Sequence, residues 1–385
     1  MNLNKLLKNN SIIFNLNAKY KCRNIKKQYK NIVQYYDTIK EDYNFGELLD
    51  KKGFTNEWSK QFETRKLNIF YLGTDELQDK SGFLQALEKH ANIDLFIRED
   101  GSYGHAKEYT QESKLDDSNR LKYLIETSSV KYDILMMQSW GSTIDVETLI
   151  ELKKKFNLKI INISMDDRHT FWINNKSKNG LAELLPAIDL SLTAAPEAVQ
   201  WYHKENIPSL FFPEASDPNI FHPLDREKIY DVGFVGAKYG IREKIVQELI
   251  VEGINVKAYG NGWESGRLPL NETNEFYNQC KIVLGIGTIG YCEDFYALKL
   301  RDFDVPMSGN CYITSNNNDL LNLFNEDDIV LYDNIRDCVK KVKNILQNNK
   351  YKDLALNGRK MAIGNHTYEN RLQEIFKIIR VNSND

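Results

Sequence analysis

The chain has 385 residues, 42% of them hydrophobic and 11% aromatic, with a formal net charge of −3. That length exceeds one ordinary core and points to two domains of roughly 150 to 200 residues. The charge excludes bulk electrostatic binding of nucleic acid, and no run of about 18 uninterrupted apolar residues offers a membrane span, so a soluble, cytoplasmic protein is expected.

Residues 1–30 carry Lys5, Lys8, Lys19, Lys21, Arg23, Lys26, Lys27 and Lys30 and no acid. Such an arm suits contact with an anionic membrane or a polyanionic acceptor, and equally a solvated tail. With the loosely helical stretch that follows, it makes a basic, helical extension over residues 1–66. From Leu67 short β-rich runs alternate with helical segments: LNIFYLG (67–73), IDLFI (93–97), YDILMM (132–137), LKIINIS (158–164), DLSLTA (189–194) and SLFF (209–212), with helices expected over 82–90, 146–156 and 196–205. Strands alternating with helices imply parallel sheets covered on both faces.

Residues 213–230 hold three of the eight prolines and mark a domain boundary. The alternation then restarts with DVGFVG (231–236), a helix over 241–252, NVKAYG (255–260), KIVLGIG (281–287), CYIT (311–314) and DIVLY (328–332), and helices over 334–348 and from 351 to about 380 close the chain. The expected organisation is therefore an α/β protein with two Rossmann-like domains, 67–215 and 216–365, facing a cleft, and a last helix within 366–385 returning to the N-terminal domain. Cys22, Cys280, Cys292, Cys311 and Cys338 lack any CxxC spacing, so five reduced thiols and no zinc site are expected.

Gly285, Gly287 and Gly290 have the spacing of a dinucleotide fingerprint, but no second strand carries an acid roughly 20 residues later, so the dinucleotide reading fails. Asp302 and Asp304 imitate a metal-binding pair. On a helix over 295–304 they would point about 200° apart, so no metal is expected there. What remains is a strand, a glycine-rich loop able to face an anion, and a helix with Lys299 and Arg301. A solvated helical face explains the same two cations.

The motifs DVGFVGAKYGIREKIVQEL, VKAYGNGW, FYNQCKIVLGIG, LKLRDFDVPMSGNCYIT and NHTYENRLQEI, in that order, resemble the C-terminal domain of spore-maturation (CgeB-type) glycosyltransferases of the GT-B group. SMDDRHTFW, TAAPEAVQWYHKENI and LFFPEASDPNIFHP extend the resemblance to roughly residues 67–378. It implies a nucleoside-diphosphate sugar donor on the C-terminal domain, a hydroxyl acceptor (glycan, lipid-linked glycan or protein) on the N-terminal one, and no resident cofactor. It also implies that Asp304, where relatives carry Glu, holds the donor ribose next to Arg301, Phe303, Ser308 and Gly309. Tyr296 stands where retaining relatives often have a second Glu.

Charge growing on a diphosphate leaving group needs cations, for which Arg301, Lys299, Arg242 and the amides around Gly236 and Gly287 are candidates. Tyr259, Gly260, Asn261, Gly262 and Trp263, with 267–270 including Leu268, would flank the base; Trp263 serves equally as packing. Asp166, Asp167 and His169 follow the 158–164 strand and are candidate bases for the acceptor, although a helix-capping turn explains them as well. Gly73, Thr74, Asp75 and Glu214 are further acceptor-side candidates, and His366 a docking residue. The alternatives are a nucleotide-sugar epimerase or phosphorylase on the same architecture, or a non-catalytic binder of nucleotide or glycan.

Overall fold

A computed structural model describes residues 11–41, 43–173 and 179–379. They form two compact units: Gln28–Glu214 with the chain from Tyr368 onward, and Ala215–Thr367 with the chain up to Lys27.

The first unit is built on β1 (Leu67–Leu72), β2 (Ala91–Leu95), β3 (Ile134–Met137), β4 (Lys159–Ser164), β5 (Leu190–Thr193) and β6 (Ser209–Phe211). They are ordered β2-β1-β3-β4-β5-β6 and are parallel throughout. The central runs are apolar on both sides because helices cover both faces, and all four residues of β3 are buried, whereas the edge strand β2 alternates buried and exposed residues. Burying each such Leu, Ile or Met contributes about 1.5–3 kcal/mol, which offsets the cost of ordering the chain. The helix Val146–Phe156 shows the local rules. Asp145 accepts the Thr148 amide at its start, Lys153, Lys154 and Lys155 sit in its last turn, and Asn157 ends it at φ 52°.

The second unit carries β7 (Tyr230–Val235), β8 (Val256–Tyr259), β9 (Cys280–Leu284), β10 (Cys311–Ser315) and β11 (Val330–Tyr332), ordered β11-β10-β9-β7-β8 and again parallel. In each sheet the chain steps outward from its first strand to its second, then returns to lay the third on the other side. The loops leaving β1 and β3, and those leaving β7 and β9, therefore diverge, and that is where open α/β sheets bind ligands.

Three sequence expectations change. The helix expected over 295–304 begins only at Arg301, and the residues before it form a loop pinned by a Thr288–Tyr296 bridge. The N-terminal extension does not stand apart: within the helix Ser11–Asp37, Ile32 and Tyr36 enter the core of the first unit. There Tyr36 stacks on Trp201 at 6.1 Å and its hydroxyl donates to Glu205 at 2.6 Å. Cys22 is disulfide-bonded to Cys292, so not all the thiols are reduced. The pair lies 270 residues apart in sequence, and no local spacing could announce it. Cys280, Cys311 and Cys338 are buried free thiols, each pushed up to about 12, by burial above all. Among the described residues no helix is long and apolar enough to cross a membrane.

Candidate functional site

In the second unit two guanidiniums occupy the point where the loops after β7 and β9 part. Arg242, only 4% exposed, donates Nη1 to Ala237 O at 3.1 Å, beside the β7 exit, and Nη2 points to Ile286 O at 3.5 Å, beside the β9 exit. Arg301 opens the helix Arg301–Met307 and donates Nη2 to the same Ile286 carbonyl at 3.1 Å. Their guanidinium carbons lie 5.9 and 5.5 Å from the Phe234 ring centre, and Arg242 also stacks on Tyr239 at 4.0 Å. An Nη1 of each arginine comes to 3.4 Å from where a Cβ on Gly236 would stand, so the two groups converge on one spot.

Among the described residues neither arginine is in an ion pair, and the Nε of each is buried without a hydrogen-bond partner. Burial, then the charge of Arg301, pushes Arg242 down to about 10. Two like charges held this close, Arg242 buried and Arg301 half-buried with Asp302 within reach of its charge, cost stability that a bound anion recovers. Guanidinium forks match phosphate oxygens in pairs, so the arrangement fits a diphosphate.

The two glycine amides themselves do not share this task. The Gly236 amide donates to Tyr259 O at 2.8 Å and the Gly287 amide to Ser315 Oγ at 2.9 Å, so both are already used. Gly309 is displaced further. It follows the helix Arg301–Met307 at φ 73° and leads into the amino end of β10, the opposite edge of the sheet from Arg301, against Pro223 and Arg359. That placement removes it from the donor-binding set.

The remaining donor-side candidates gather more closely. Gly260 sits at φ 136° directly over the Gly236 carbonyl. Trp263 donates Nε1 to that carbonyl at 2.8 Å and packs edge-on to Phe234, so it braces the loop. Tyr259 ends β8 with its ring edge-on to Phe276, and Leu268 is buried. Asp304 lies one turn into its helix, 4% exposed. Burial and then its charge push the Tyr277 hydroxyl up while Arg301 opposes, which makes the three side chains neighbours. Asp302, whose place in the sequence suggests solvent, is 1% exposed; its carboxylate accepts from Tyr312 Oη at 2.5 Å and from the Lys299 amide at 2.7 Å. It braces the helix start instead. Lys299 itself stands just ahead of that helix. His366 is buried, with Nε2 2.7 Å from Leu323 O and its ring against Phe303 and Phe324.

In the first unit the candidate bases separate. Asp167 is fully buried, with Thr193 Oγ1 and Tyr202 Oη (2.9 Å) donating to its two oxygens, so it is structural and no base for a substrate. Asp166 and His169 stay at the surface after β4, 48% and 27% exposed, with Nδ1 3.9 Å from Oδ1. Next to them Arg168 is held bidentate by Glu197 at 2.7 and 2.9 Å. Asp75 caps the short helix Glu76–Gln78, and Gly73 leaves room for Asp79 and Tyr103, whose oxygens would lie 2.2 and 2.3 Å from a Cβ there. Both are therefore structural. Glu214 is 4% exposed, and its charge acts on the Arg371 guanidinium.

Sequence reasoning missed Asp79. It is 1% exposed at the β1/β3 exit and accepts from Tyr103 Oη and Gln138 Nε2, each at 2.8 Å, and from the Thr74 amide at 3.2 Å. Its signal was hidden at a kink within Asp79–Phe83, where Ser81 and Gly82 leave helical geometry (Gly82 at φ 130°) and break the 3.6-residue period. Burial pushes Asp79 and Asp167 up to about 6. Folded carboxyls that keep a proton longer than the unfolded chain lose stability as pH rises between about 4 and 6, by about 3 kcal/mol each. Thermal melts should therefore show Asp79→Asn gaining on the wild type as pH rises from 4 to 7; parallel pH profiles would contradict this. Among the described residues no group of three or more His, Cys, Asp or Glu is placed to hold a metal ion.

Two parallel Rossmann-like sheets, of six and five strands, place the chain in the GT-B fold class, and comparison with known proteins agrees on the fold. Residues 242–377 match the family model described as glycosyl transferase-like. No curated protein matches the chain in sequence. Among solved structures the chain is similar to HepE from Anabaena in complex with UDP-glucose, with TM-score 0.56 and 10% identity, covering 81% of this chain and 99% of that one. It is also similar to an α-glucosyltransferase in complex with UDP and DNA (TM-score 0.53, 9% identity, 82% and 100% covered). A third is AviGT4, a glycosyltransferase of avilamycin A biosynthesis (TM-score 0.51, 11% identity, 82% and 97% covered).

Proposed function

We propose that this protein is a metal-independent glycosyltransferase that moves a sugar from a nucleoside diphosphate to a hydroxyl of a glycan, lipid-linked glycan or protein, akin to the CgeB type. The observation that carries the reading is the pair of unneutralised guanidiniums, Arg242 and Arg301, at the β7/β9 exit. As the bond from the anomeric carbon to the diphosphate breaks, its electron pair passes to a phosphate oxygen, and two fixed cations stabilise that charge without a divalent ion. Lys299 adds a third positive charge, Asp304 takes the ribose hydroxyls, and the Tyr259–Leu268 stretch lies along the base.

On the acceptor side, Asp166 and His169 are the accessible pair. The hydroxyl proton passes to one of them as the new bond forms, and the neighbouring group steadies the result. Asp166→Ala and His169→Ala should each lower transfer by about 10²-fold or more while nucleotide binding is kept; loss of binding in both would remove them from the acceptor side. The reading places the protein in the cytoplasm, with the basic segment 1–30 touching an anionic membrane; residues 1–10 of that segment lie outside the described residues. A thermal-shift panel of nucleoside-diphosphate sugars tests the whole. At 100 times the dissociation constant the matching donor stabilises the fold by about 2.7 kcal/mol. No shift with any nucleoside diphosphate or its sugar would overturn it.

A further inference from the structure

A second cluster of uncompensated cations lies at the other edge of the same sheet. The amino ends of β9 and β10 border a cavity of about 330 Å³ lined by Lys228, Lys281, Asn310, Lys352, Leu356 and Arg359 among others. It lies across the sheet from Arg242 and Arg301, so it is no part of the donor site. Among the described residues, of its cations only Lys281 is neutralised, by Asp231 at 2.8 Å. Lys228 Nζ donates to Asn310 Oδ1 at 2.8 Å and Arg359 Nη1 to Met307 O, and among the described residues neither is in an ion pair. Burial pushes both groups down with no carboxylate opposing it.

The rest of the lining is apolar. Pro223, Tyr351, Ala355 and Leu356 contribute to it, and Leu356 is 71% exposed. Half-buried cations kept without a counter-ion imply an anion that supplies one. Two of them, one a guanidinium fork, match a phosphate better than a singly charged carboxylate. The volume, at the small end of ligand pockets of roughly 300–1,000 Å³, leaves room for a short apolar stretch beside the charge.

We propose that this cavity binds a phosphate ester attached to an apolar chain, held by Lys228 and Arg359 with the chain against Ala355 and Leu356. The shared chemistry covers a bilayer phospholipid headgroup and a soluble alkyl or prenyl phosphate. The site stands independently of the transferase reading.

Calorimetry on the full chain with hexyl phosphate, inorganic phosphate and hexanoate tests it. Hexyl phosphate should bind at least about 10-fold more tightly than either of the others. Lys228→Met and Ala355→Phe should each weaken it by about 10-fold or more, the first by removing charge and the second by filling the cavity, with thermal midpoints unchanged. Flotation with phosphatidylglycerol vesicles that is lost in Lys228→Met identifies a bilayer source. Hexyl phosphate binding without flotation identifies a soluble ester. Hexyl phosphate no tighter than hexanoate or phosphate, or equally tight in both folded variants, would overturn the proposal.

Discussion

Replacing Arg301 by methionine is expected to lower turnover of the nucleoside-diphosphate sugar by about 10²–10³-fold, the usual cost of losing one group aimed at developing charge. The folded state should not suffer in proportion. Arg301 gives up one hydrogen bond, to Ile286 O at 3.1 Å, while Arg242 is relieved of a cation that helps push it down to about 10. The unliganded variant should therefore melt within about 2 °C of the wild type, a change of under ~1 kcal/mol for a unit of this size. Its stabilisation by nucleoside diphosphate should all but vanish. Steady-state kinetics with thermal melts, with and without nucleotide, check both halves. A variant with normal turnover and normal nucleotide stabilisation would show that the guanidinium pair is not the donor site.

The second large effect is structural. A Cβ at Gly260 would lie 2.2 Å from the Gly236 carbonyl oxygen, in a backbone at φ 136° that other residues rarely adopt. The obstruction is backbone against backbone, so no rotamer relieves it. The Gly236 loop, tied at its amide to Tyr259 O and at its carbonyl to Trp263 Nε1, would have to move off the two arginines. Gly260→Ala should cost about 3 kcal/mol or more and lower the midpoint by roughly 6–12 °C. Gly266→Ala is the control: φ is 67° and nothing lies within 4 Å of its Cβ, so only about 1 kcal/mol should be lost. Equal losses at the two positions would refute the close approach.

The central sheet strands were legible in the sequence because they are short runs rich in Val, Ile, Leu and aromatic residues that must be buried on both faces, while the edge strands β2 and β8 are only partly buried. Residues 146–156 were legible as a helix from their apolar period, and the structure places the helix at Val146–Phe156. The helix Gln111–Thr127 was not, since its buried residues include Lys114, Asp117 and Ser118 and its period is weak. Arg301 could be singled out as a cation after a glycine-rich loop, yet the amides of Gly236 and Gly287 could not be read as already committed to Tyr259 and Ser315. The burial of Asp167 and Asp302 was hidden for the same reason. An Asp in a polar turn reads as exposed until the partners that satisfy it, Thr193 and Tyr202 or Tyr312, arrive from distant strands and helices. Tertiary contacts decide such positions, and local pattern does not carry them.

The most direct test of the central claim is to incubate the full-length protein with single nucleoside-diphosphate sugars, UDP-glucose among them, and to follow nucleotide and sugar by chromatography. The account predicts that at least one donor is cleaved to free nucleoside diphosphate, water taking the sugar where no other hydroxyl is offered, that Arg301→Met and Arg242→Met each lower the release by about 10²–10³-fold, and that the sugar leaves without epimerisation. Conversion of the sugar while it stays on its nucleotide, or no cleavage of any donor, would contradict it.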